Sequence, residues 1–325
     1  MDTSTSKERS VSATGSTKDR AGDNDKVLHE HGQATSKSGD AVGADIYSKT
    51  NGIRLLDVAS LSKRGYCNED RIVVDTDENL HLFAVIDGHN SARAANFLVE
   101  NLSKTLTEVY DNGFDHAKLC EAMEELDRMF CALDTPPWNI GGACVLVVLM
   151  YVDPNTDAPQ KVVLNIGDCR AIIREAPESI AGKNEAEDEP SPAASVVALS
   201  EDHCASNEKE MARALRSGAK ILGNRIAGIL QPFRVIGDAD LKGPDKKDWV
   251  IPTPEIHQSE LLVGRSILVI ASDGVWTVLD NDCVMKLAFK EIGANGSAKS
   301  AAEAIVGEAV KKHSKDDISV IVVSV

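Results

Sequence analysis

Carboxylates recur at the ends of apolar, strand-like segments of this sequence. The segment FAVI leads into Asp87-Gly88-His89, and the runs KVVLNIGD and SILVIASD end on Asp168 and Asp273. An ionised carboxylate at the end of a buried strand is costly unless a partner compensates its charge. Acids brought together would also raise one another's pKa values. Hard divalent cations with oxygen ligands would relieve that repulsion, so the pattern predicts a Mg²⁺ or Mn²⁺ site.

Two further acidic pairs precede strands instead of following them. Glu69 and Asp70 stand before the short apolar segment at Ile72, and Asp316 and Asp317 stand before ISVIVVSV. In an antiparallel arrangement the start of one strand lies beside the ends of its neighbours, so these acids are expected near the others. Taken singly, an Asp-Gly after a strand is an ordinary turn signal. Zinc is not expected, because no Cys/His set has suitable spacing.

Charge and cysteine usage limit the possible partners. Acidic residues outnumber basic ones 51 to 35 among 325 residues, which argues against a nucleic-acid binder. The seven cysteines are scattered without a Cys-x-x-Cys pair, as is typical of a reducing compartment. We find no signal-peptide pattern and no apolar run of about 18 residues or more. The expectation is a soluble monomer of the cytoplasm, the nucleus or both, with no membrane or nucleic-acid partner.

Composition divides the chain into a tail and one large domain. Residues 1–45 contain no aromatic residue and are rich in Ser, Thr, Lys, Asp and Gly, so we predict a disordered tail. Patterned sequence starts near Ile53, and residues 53–325 are predicted to form one domain. Within it, residues 175–194 are acidic and contain Pro and Ser, which indicates a mobile surface insertion.

Hydrophobic patterning predicts an α+β fold. Strands come in adjacent runs and helices in pairs, which favours a β-sandwich flanked by helices over an alternating parallel fold. The predicted strands are 72–74, 81–86, 143–152, 161–166, 170–173, 195–199, 266–271 and 318–325, and the predicted helices are 91–112, 115–133, 207–218 and 299–313.

Six motifs in a specific order carry a family resemblance. They are VIDGH, LNIGDCRA, LSEDH followed by NEKEMARALRSGAKI, RVIGDADLK, IASDGVW and KDDISVIVV. In order and wording the chain resembles the type 2C, metal-dependent protein serine/threonine phosphatases over about Leu56 to Val325. The resemblance implies a four-layer αββα fold whose central sandwich has two mostly antiparallel sheets. It also implies a flap beside the metal cleft, at residues 207–243.

The resemblance further implies a set of metal ligands. Asp87 would bridge two Mg²⁺ or Mn²⁺ ions that hold a shared water. The other expected ligands are the Gly88 carbonyl for one ion, Asp273 and Asp316 for the other, Glu69 and Asp70 acting largely through metal-bound waters, and Asp168 with Asp273 for a weaker third ion. Two such cations would supply hydroxide near neutral pH and neutralise the phosphoryl oxygens.

His89 and Arg64 complete the implied site. His89 is the candidate general acid for the departing alkoxide, since its unperturbed pKa lies near neutrality. The family places a phosphate-binding arginine four residues before Glu69, where this chain has Gly65, and Arg64 stands one position early. Arg64 would then point away from the cleft unless a bulge at Gly65 re-aims it. In the misdirected case, Gly65→Arg is expected to lower KM.

Two functions of different classes follow. The first is an active phosphatase acting on phosphoserine and phosphothreonine in phosphorylated protein substrates. The alternative is a pseudophosphatase that uses the same fold as a binding or kinase-regulating scaffold. Retention of all the aligned acids favours the enzyme. A two-metal nuclease is disfavoured, because the chain is acidic and lacks basic segments interleaved with aromatic residues.

Overall fold

Two β-sheets form the centre of the protein. The computed structural model describes residues 33–34, 42–44, 53, 55, 57–63, 65, 68–133, 141–175, 195–246, 248–263 and 266–325. Its strands are β1 (Gln33–Ala34), β2 (Val42–Ala44), β3 (Asp57–Lys63), β4 (Arg71–Thr76), β5 (Leu80–His89), β6 (Gly142–Asp153), β7 (Ala158–Ile166), β8 (Arg170–Arg174), β9 (Val196–Ala198), β10 (Ile221–Leu222), β11 (Arg225–Ile226), β12 (Ile236–Gly237), β13 (Glu255–Glu260), β14 (Ile267–Ala271) and β15 (Ile318–Ser324).

Every strand pair within the two sheets is antiparallel. The first sheet has the order β1-β4-β5-β6-β7-β13, with β12 also paired to β6, and the second has the order β2-β3-β15-β14-β8-β9. Strands β10 and β11 form a separate hairpin. The central strand of the first sheet, β6, therefore has neighbours on both sides, and it is buried over residues 142–151.

Helices cover the outer faces of both sheets. In chain order the helices are α1 (Arg93–Glu108), α2 (His116–Cys131), α3 (Glu208–Arg216), α4 (Asp273–Trp276), α5 (Asn281–Asn295) and α6 (Ala298–Lys311). All but α3 lie on these outer faces, whereas Ala214 of α3 belongs to the core between the sheets. Side chains of α1 and α2 form one core with the first sheet, and those of α4 to α6 form another with the second sheet. A third core fills the space between the sheets. The predicted four-layer αββα arrangement is thereby confirmed.

The continuous apolar run in β6 follows from this layering. Residues 145, 147 and 149 face the core beneath α1 and α2, whereas residues 144, 146, 148 and 150 face the core between the sheets. Successive side chains of a strand point to opposite faces, so a strand covered on both faces must be apolar at every position. A run of this kind has no room for an uncompensated charge along its length, and charged groups are therefore confined to the strand ends.

Some elements differ from the sequence-based predictions. Strands β3 and β13 and helix α5 were not predicted, and β5 continues three residues beyond Ile86, through Asp87 and Gly88 to His89. Strand β13 (EIHQSE) escaped prediction because it is a partly exposed edge strand with few apolar residues. The chain instead turns at Asn90, whose φ of 63° lies in the left-handed region that asparagine tolerates.

The predicted tail and insertion fall largely outside the described residues. Within 1–45, β1 pairs with β4 and β2 pairs with β3. Glu175, the first residue of the predicted insertion, accepts hydrogen bonds from Lys161 and from the Leu262 N–H. Disorder elsewhere in the tail and mobility of 176–194 remain predictions.

No helix in the described part of the chain combines the length and the apolar character that crossing a lipid bilayer requires.

Candidate functional site

A cavity of about 800 Å³ opens where the acid-bearing ends of the two sheets meet. We call it the acidic cavity, because seven of its lining residues are acids: Glu69, Asp87, Asp168, Asp238, Asp240, Asp273 and Asp316. Within it, carboxylate oxygens of Asp87, Asp168 and Asp273 all lie within 4.8 Å of one another. Asp87 belongs to β5 of the first sheet, Asp168 lies in the connection from β7 to β8 of the second sheet, and Asp273 follows β14 of the second sheet. The group therefore exists only because the sheets pack face to face.

A glycine turn directs Asp168 into the cavity. Gly167 has a φ of 112°, and a Cβ there would lie 2.2 Å from Cys144 Sγ. The buried His203 fixes this turn, since its ring Nδ1 accepts from the Gly167 N–H at 3.1 Å and its backbone N–H donates to the Gly167 carbonyl at 2.9 Å. Cys144 Sγ in turn donates to Asp168 Oδ1 at 3.2 Å. The Asp168 carboxylate is therefore held in one orientation.

Burial and mutual repulsion raise the pKa values of these carboxyls. Burial is the largest cause for Asp87, whose pKa is raised well above its usual range, and Asp70, Asp273 and Asp168 add to it. Burial, followed by Asp168, raises the pKa of Asp273 to about 8. Buried carboxylates this close together disfavour ionisation in the absence of a cation. An all-oxygen donor set of this kind fits Mg²⁺ or Mn²⁺.

Asp70 lies beside the three-carboxylate group, outside the 4.8 Å limit. Burial raises its pKa to about 7, although hydrogen bonds from Ser272 and Ser319 act in the opposite direction. Its Oδ2 accepts the Ser272 hydroxyl at 2.8 Å. Because Ser272 directly precedes Asp273, this bond joins the start of β4 to the end of β14.

The neighbours Asp316 and Asp317 have different surroundings. Asp316 is exposed and lines the acidic cavity. Asp317 is buried, and its carboxylate accepts the backbone N–H groups of Gly65 and, at 2.6 Å, of Glu69. Asp317 therefore fixes the segment that leads to Glu69, which lines the cavity. Gly88 is packed closely against this segment, since a Cβ there would lie 2.8 Å from the Glu69 carbonyl oxygen.

His89 contacts an acid that the sequence analysis did not single out. Its Nε2 lies 2.6 Å from Asp238 Oδ2, and Asp238 is buried. Asp238 follows Gly237 in the motif RVIGDADLK. A Gly-Asp pair beside an apolar segment is the one sequence feature that could have marked Asp238 as a site residue. The two residues are 149 positions apart, so nothing in the sequence identified them as partners.

Gly65 cannot carry a side chain in this structure. A Cβ at this position would lie 2.2 Å from the Asp316 backbone carbon and carbonyl oxygen. A side chain at this position would therefore displace the chain at Asp316, which weighs against the expectation that Gly65→Arg lowers KM; that expectation stays a prediction. Arg64 itself lies outside the described residues, so its role as the phosphate-binding residue remains a prediction.

Residues 225–241, within the segment predicted as a flap, line one side of the acidic cavity. Gln231 Nε2 donates to Asp168 Oδ2 at 3.3 Å, and Gln231 Oε1 accepts from Arg225 Nη2 at 3.2 Å. These bonds connect the segment to the three-carboxylate group. Arg225 and Lys315 are the lysine and arginine residues that line the cavity within the described part of the chain.

Comparison with solved structures identifies the fold. A phosphatase from a pathogenic strain of Toxoplasma gondii matches with a TM-score of 0.68 at 21% identity, over 83% of this chain and 94% of that chain. A sex-determining protein of C. elegans matches with a TM-score of 0.65 at 20% identity, over 82% and 64%. At these identities the likeness concerns the fold, which is the αββα sandwich of the matched phosphatase.

Sequence comparison then identifies the family. The family model described as Protein phosphatase 2C matches residues 54–318. Probable protein phosphatase 2C 32 of Oryza sativa subsp. japonica is 30% identical over 78% of this chain and 60% of its own length. Probable protein phosphatase 2C 14 of Arabidopsis thaliana is 32% identical over 61% and 39%. This chain belongs to the protein phosphatase 2C family, and it spans 60% or less of these two relatives.

Proposed function

We propose that this protein is a Mg²⁺- or Mn²⁺-dependent protein serine/threonine phosphatase that hydrolyses phosphoserine and phosphothreonine in protein substrates. The observation that carries the proposal is the group formed by Asp87, Asp168 and Asp273, three carboxylates within 4.8 Å of one another in an open cavity. When bound, divalent cations supply a nucleophile near neutral pH and neutralise phosphoryl oxygens.

The chain's own carboxylates would hold these ions. Asp87 would be a ligand of both cations, and Asp168 and Asp273 would be further ligands. Asp70 and Asp316 lie close enough to raise the pKa of Asp273, so they would complete the surroundings of the ions, Asp70 largely through waters. Glu69 and the Gly88 carbonyl, both at the cavity wall, are the remaining ligands we assign.

His89 would protonate the departing serine or threonine oxygen. An alkoxide is a poor leaving group, and general-acid assistance is typically worth about 100- to 10,000-fold. Asp238 would orient the ring by accepting the Nε2 proton, which leaves Nδ1 as the nitrogen that faces the leaving oxygen. The Asp238 carboxylate, 2.6 Å from Nε2, would thus act as a positioning group for His89.

The test is hydrolysis of a phosphoserine peptide by the full chain. Turnover is expected with Mn²⁺ or Mg²⁺, to stop in EDTA and to return when metal is restored. Asp87→Asn should remove nearly all turnover with an unchanged circular dichroism spectrum. The matched control is Asp157→Asn, an exposed acid in the turn between β6 and β7, at the opposite end of the first sheet. Full activity of a folded Asp87→Asn variant would contradict the proposal.

One observation favours a second candidate, the pseudophosphatase scaffold. The position at which the family resemblance places a phosphate-binding arginine is Gly65, where the packing of Asp316 leaves no room for a side chain. A scaffold would bind phosphorylated protein without turning it over. Absence of hydrolysis at every Mn²⁺ concentration, with retained binding of a phosphopeptide, would establish that reading against the enzyme.

A further inference from the structure

A short hairpin with a rigid shape stands at the mouth of the acidic cavity. We call residues 221–230 the rim hairpin; it comprises β10, β11 and the turn that follows them. Gly223 and Asn224, between the two strands, have φ values of 56° and 62°. Two consecutive left-handed residues form the tight type of turn that best matches strand twist. A Cβ at Gly223 would meet no atom within 4 Å, so the tip projects away from the rest of the protein.

The base of the rim hairpin is fixed in the core. Ile226 is fully buried and Leu230 is 8% exposed, and both belong to the core between the sheets. The Ile226 N–H donates to the Leu230 carbonyl at 2.8 Å, and the Ala227 N–H donates to the Lys220 carbonyl at 2.7 Å. The conformation of the hairpin is therefore set by its own hydrogen bonds and by core packing. A partner that binds it would not have to order it first.

Two large apolar side chains of this rigid element face water. Leu222 is 65% exposed and Ile229 is 62% exposed, more than any other large apolar side chain of the described residues. Leu222 lies beside the turn at Gly228, since a Cβ at Gly228 would be 3.5 Å from the Leu222 Cβ. Ile229 lines the acidic cavity. Exposed apolar side chains carried by one short element at the edge of a polar cavity are typical of a recognition surface.

An arginine joins this apolar pair to the three-carboxylate group. Arg225 Nη1 donates to the Ile229 carbonyl at 2.9 Å, and Arg225 Nη2 donates to Gln231, whose amide donates to Asp168. These contacts use two of the five N–H donors of a guanidinium. The planar fork of arginine matches the geometry of a phosphoryl group. Arg225 is thus a pre-oriented cation at the wall of a cavity dominated by acids.

We propose that the rim hairpin recognises phosphorylated protein segments that carry a large apolar residue close in sequence to the phosphorylated one. Arg225 binds an oxygen of the phosphoryl group, while Leu222 and Ile229 cover the apolar side chain. The inference rests on the proposed phosphatase function and names its substrate class. Charge complementarity assigns Arg225 to the phosphoryl group. Because both Arg225 and Ile229 line the acidic cavity, the rim hairpin is continuous with the cavity that holds the three-carboxylate group.

The experiment compares three substrates: p-nitrophenyl phosphate and two phosphoserine peptides that differ only in Leu or Ser next to the phosphoserine. The variants are Arg225→Ala and the double change Leu222→Ser/Ile229→Ser. The matched control is Leu262→Ser, a 43% exposed apolar residue beyond β13, at the end of the first sheet away from Asp168. Circular dichroism verifies that each variant is folded.

The substrates separate the two parts of the surface. The double variant should raise KM about tenfold for the Leu peptide, as expected for losing contact with one buried side chain, and leave p-nitrophenyl phosphate unchanged. Arg225→Ala should raise KM about tenfold for all three substrates at an unchanged Mn²⁺ activation midpoint, since each contains the phosphoryl group. Arg225→Lys should recover part of this loss.

Peptide binding keeps the proposal independent of turnover. Fluorescence anisotropy in Mn²⁺, with Asp87→Asn introduced into each protein so that the peptides are not hydrolysed, should show that the wild-type hairpin binds the Leu peptide about tenfold more tightly than the Ser peptide. The double variant should bind both equally. If no substrate is hydrolysed, the proposed function fails, yet this binding difference still decides the role of the rim hairpin. Three results would overturn the proposal. The first is equal binding of both peptides by the wild type, and the second is a loss of Leu-peptide binding in Leu262→Ser as large as that in the double variant. The third is a shift of the Mn²⁺ activation midpoint as the sole effect of Arg225→Ala.

Discussion

Replacing Asp273 by Asn should stabilise the metal-free protein while removing its response to metal. Burial, with the carboxylates of Asp168, Asp316 and Asp70, raises the pKa of Asp273 from 3.8 to about 8. At about 1.36 kcal/mol per pH unit, such a change corresponds to an upper bound on the order of 5 kcal/mol for ionising this side chain in the folded state. Buried carboxyls that titrate together share this cost, so we expect about 2 kcal/mol from the single substitution.

The sign of the pH dependence follows from the raised pKa. Between about pH 4 and pH 8 the folded protein keeps a proton that the unfolded chain has lost. The folded state therefore binds more protons, and the free energy of unfolding falls as the pH rises through this window. Below pH 4 both states are protonated at Asp273, and the contribution of this group to stability is fully present. Asp273→Asn should flatten this part of the pH dependence.

Thermal unfolding in EDTA measures the effect. At pH 8 the melting temperature of Asp273→Asn should exceed that of the wild type by about 4 to 6 °C, and at pH 4 the two should nearly coincide. Mn²⁺ should raise the melting temperature of the wild type far more than that of the variant, because a ligand that binds only the folded state stabilises it. Asp157→Asn, whose carboxylate is exposed, should match the wild type throughout. The prediction is refuted if Asp273→Asn is less stable than the wild type in EDTA at pH 8. It is also refuted if Mn²⁺ raises the melting temperatures of both proteins equally.

Four further predictions concern the surroundings of the metal site and the N-terminal strands. His89→Ala should slow phosphoserine hydrolysis about 100-fold or more and p-nitrophenyl phosphate hydrolysis far less, because nitrophenolate leaves without a proton; equal losses would exclude the general-acid role. Asp238→Asn, at a φ of 48° that asparagine also adopts, should show the same leaving-group dependence at a smaller magnitude, and an unchanged ratio of the two rates would contradict its positioning of His89. Gly65→Ala should lower the free energy of unfolding in urea by about 1 to 3 kcal/mol, since its Cβ would lie 2.2 Å from the Asp316 backbone. An unchanged urea midpoint would show that the backbone can move at this point without loss of stability. Removing residues 1–32 should leave turnover of a small phosphoester within about twofold. A deletion through Ala44 also removes β1 and β2, so it should lower the melting temperature. Equal melting temperatures of the two deletion variants would count against a structural role for these strands.

The sequence by itself determined the layered fold and the chemistry of the candidate site. Continuous apolar runs such as that of β6 are compatible only with strands covered on both faces, which requires a sandwich flanked by helices. Acids confined to the ends of such runs have to meet at one end of an antiparallel assembly. Short-range patterning carries both kinds of information, because hydrophobic periodicity and the cost of burying charge are properties of the local sequence.

Packing between distant segments decided which acids meet and what each one does. Asp316 and Asp317 are indistinguishable in sequence, yet the first faces the cavity and the second binds the backbone of residues 65–69. The partner of His89 comes from a segment 149 residues away. These assignments depend on the register of the strands within each sheet and on how the two sheets pack. A shift of one residue would send the opposite set of side chains into the cavity, and only the packed cores of the whole domain fix that register.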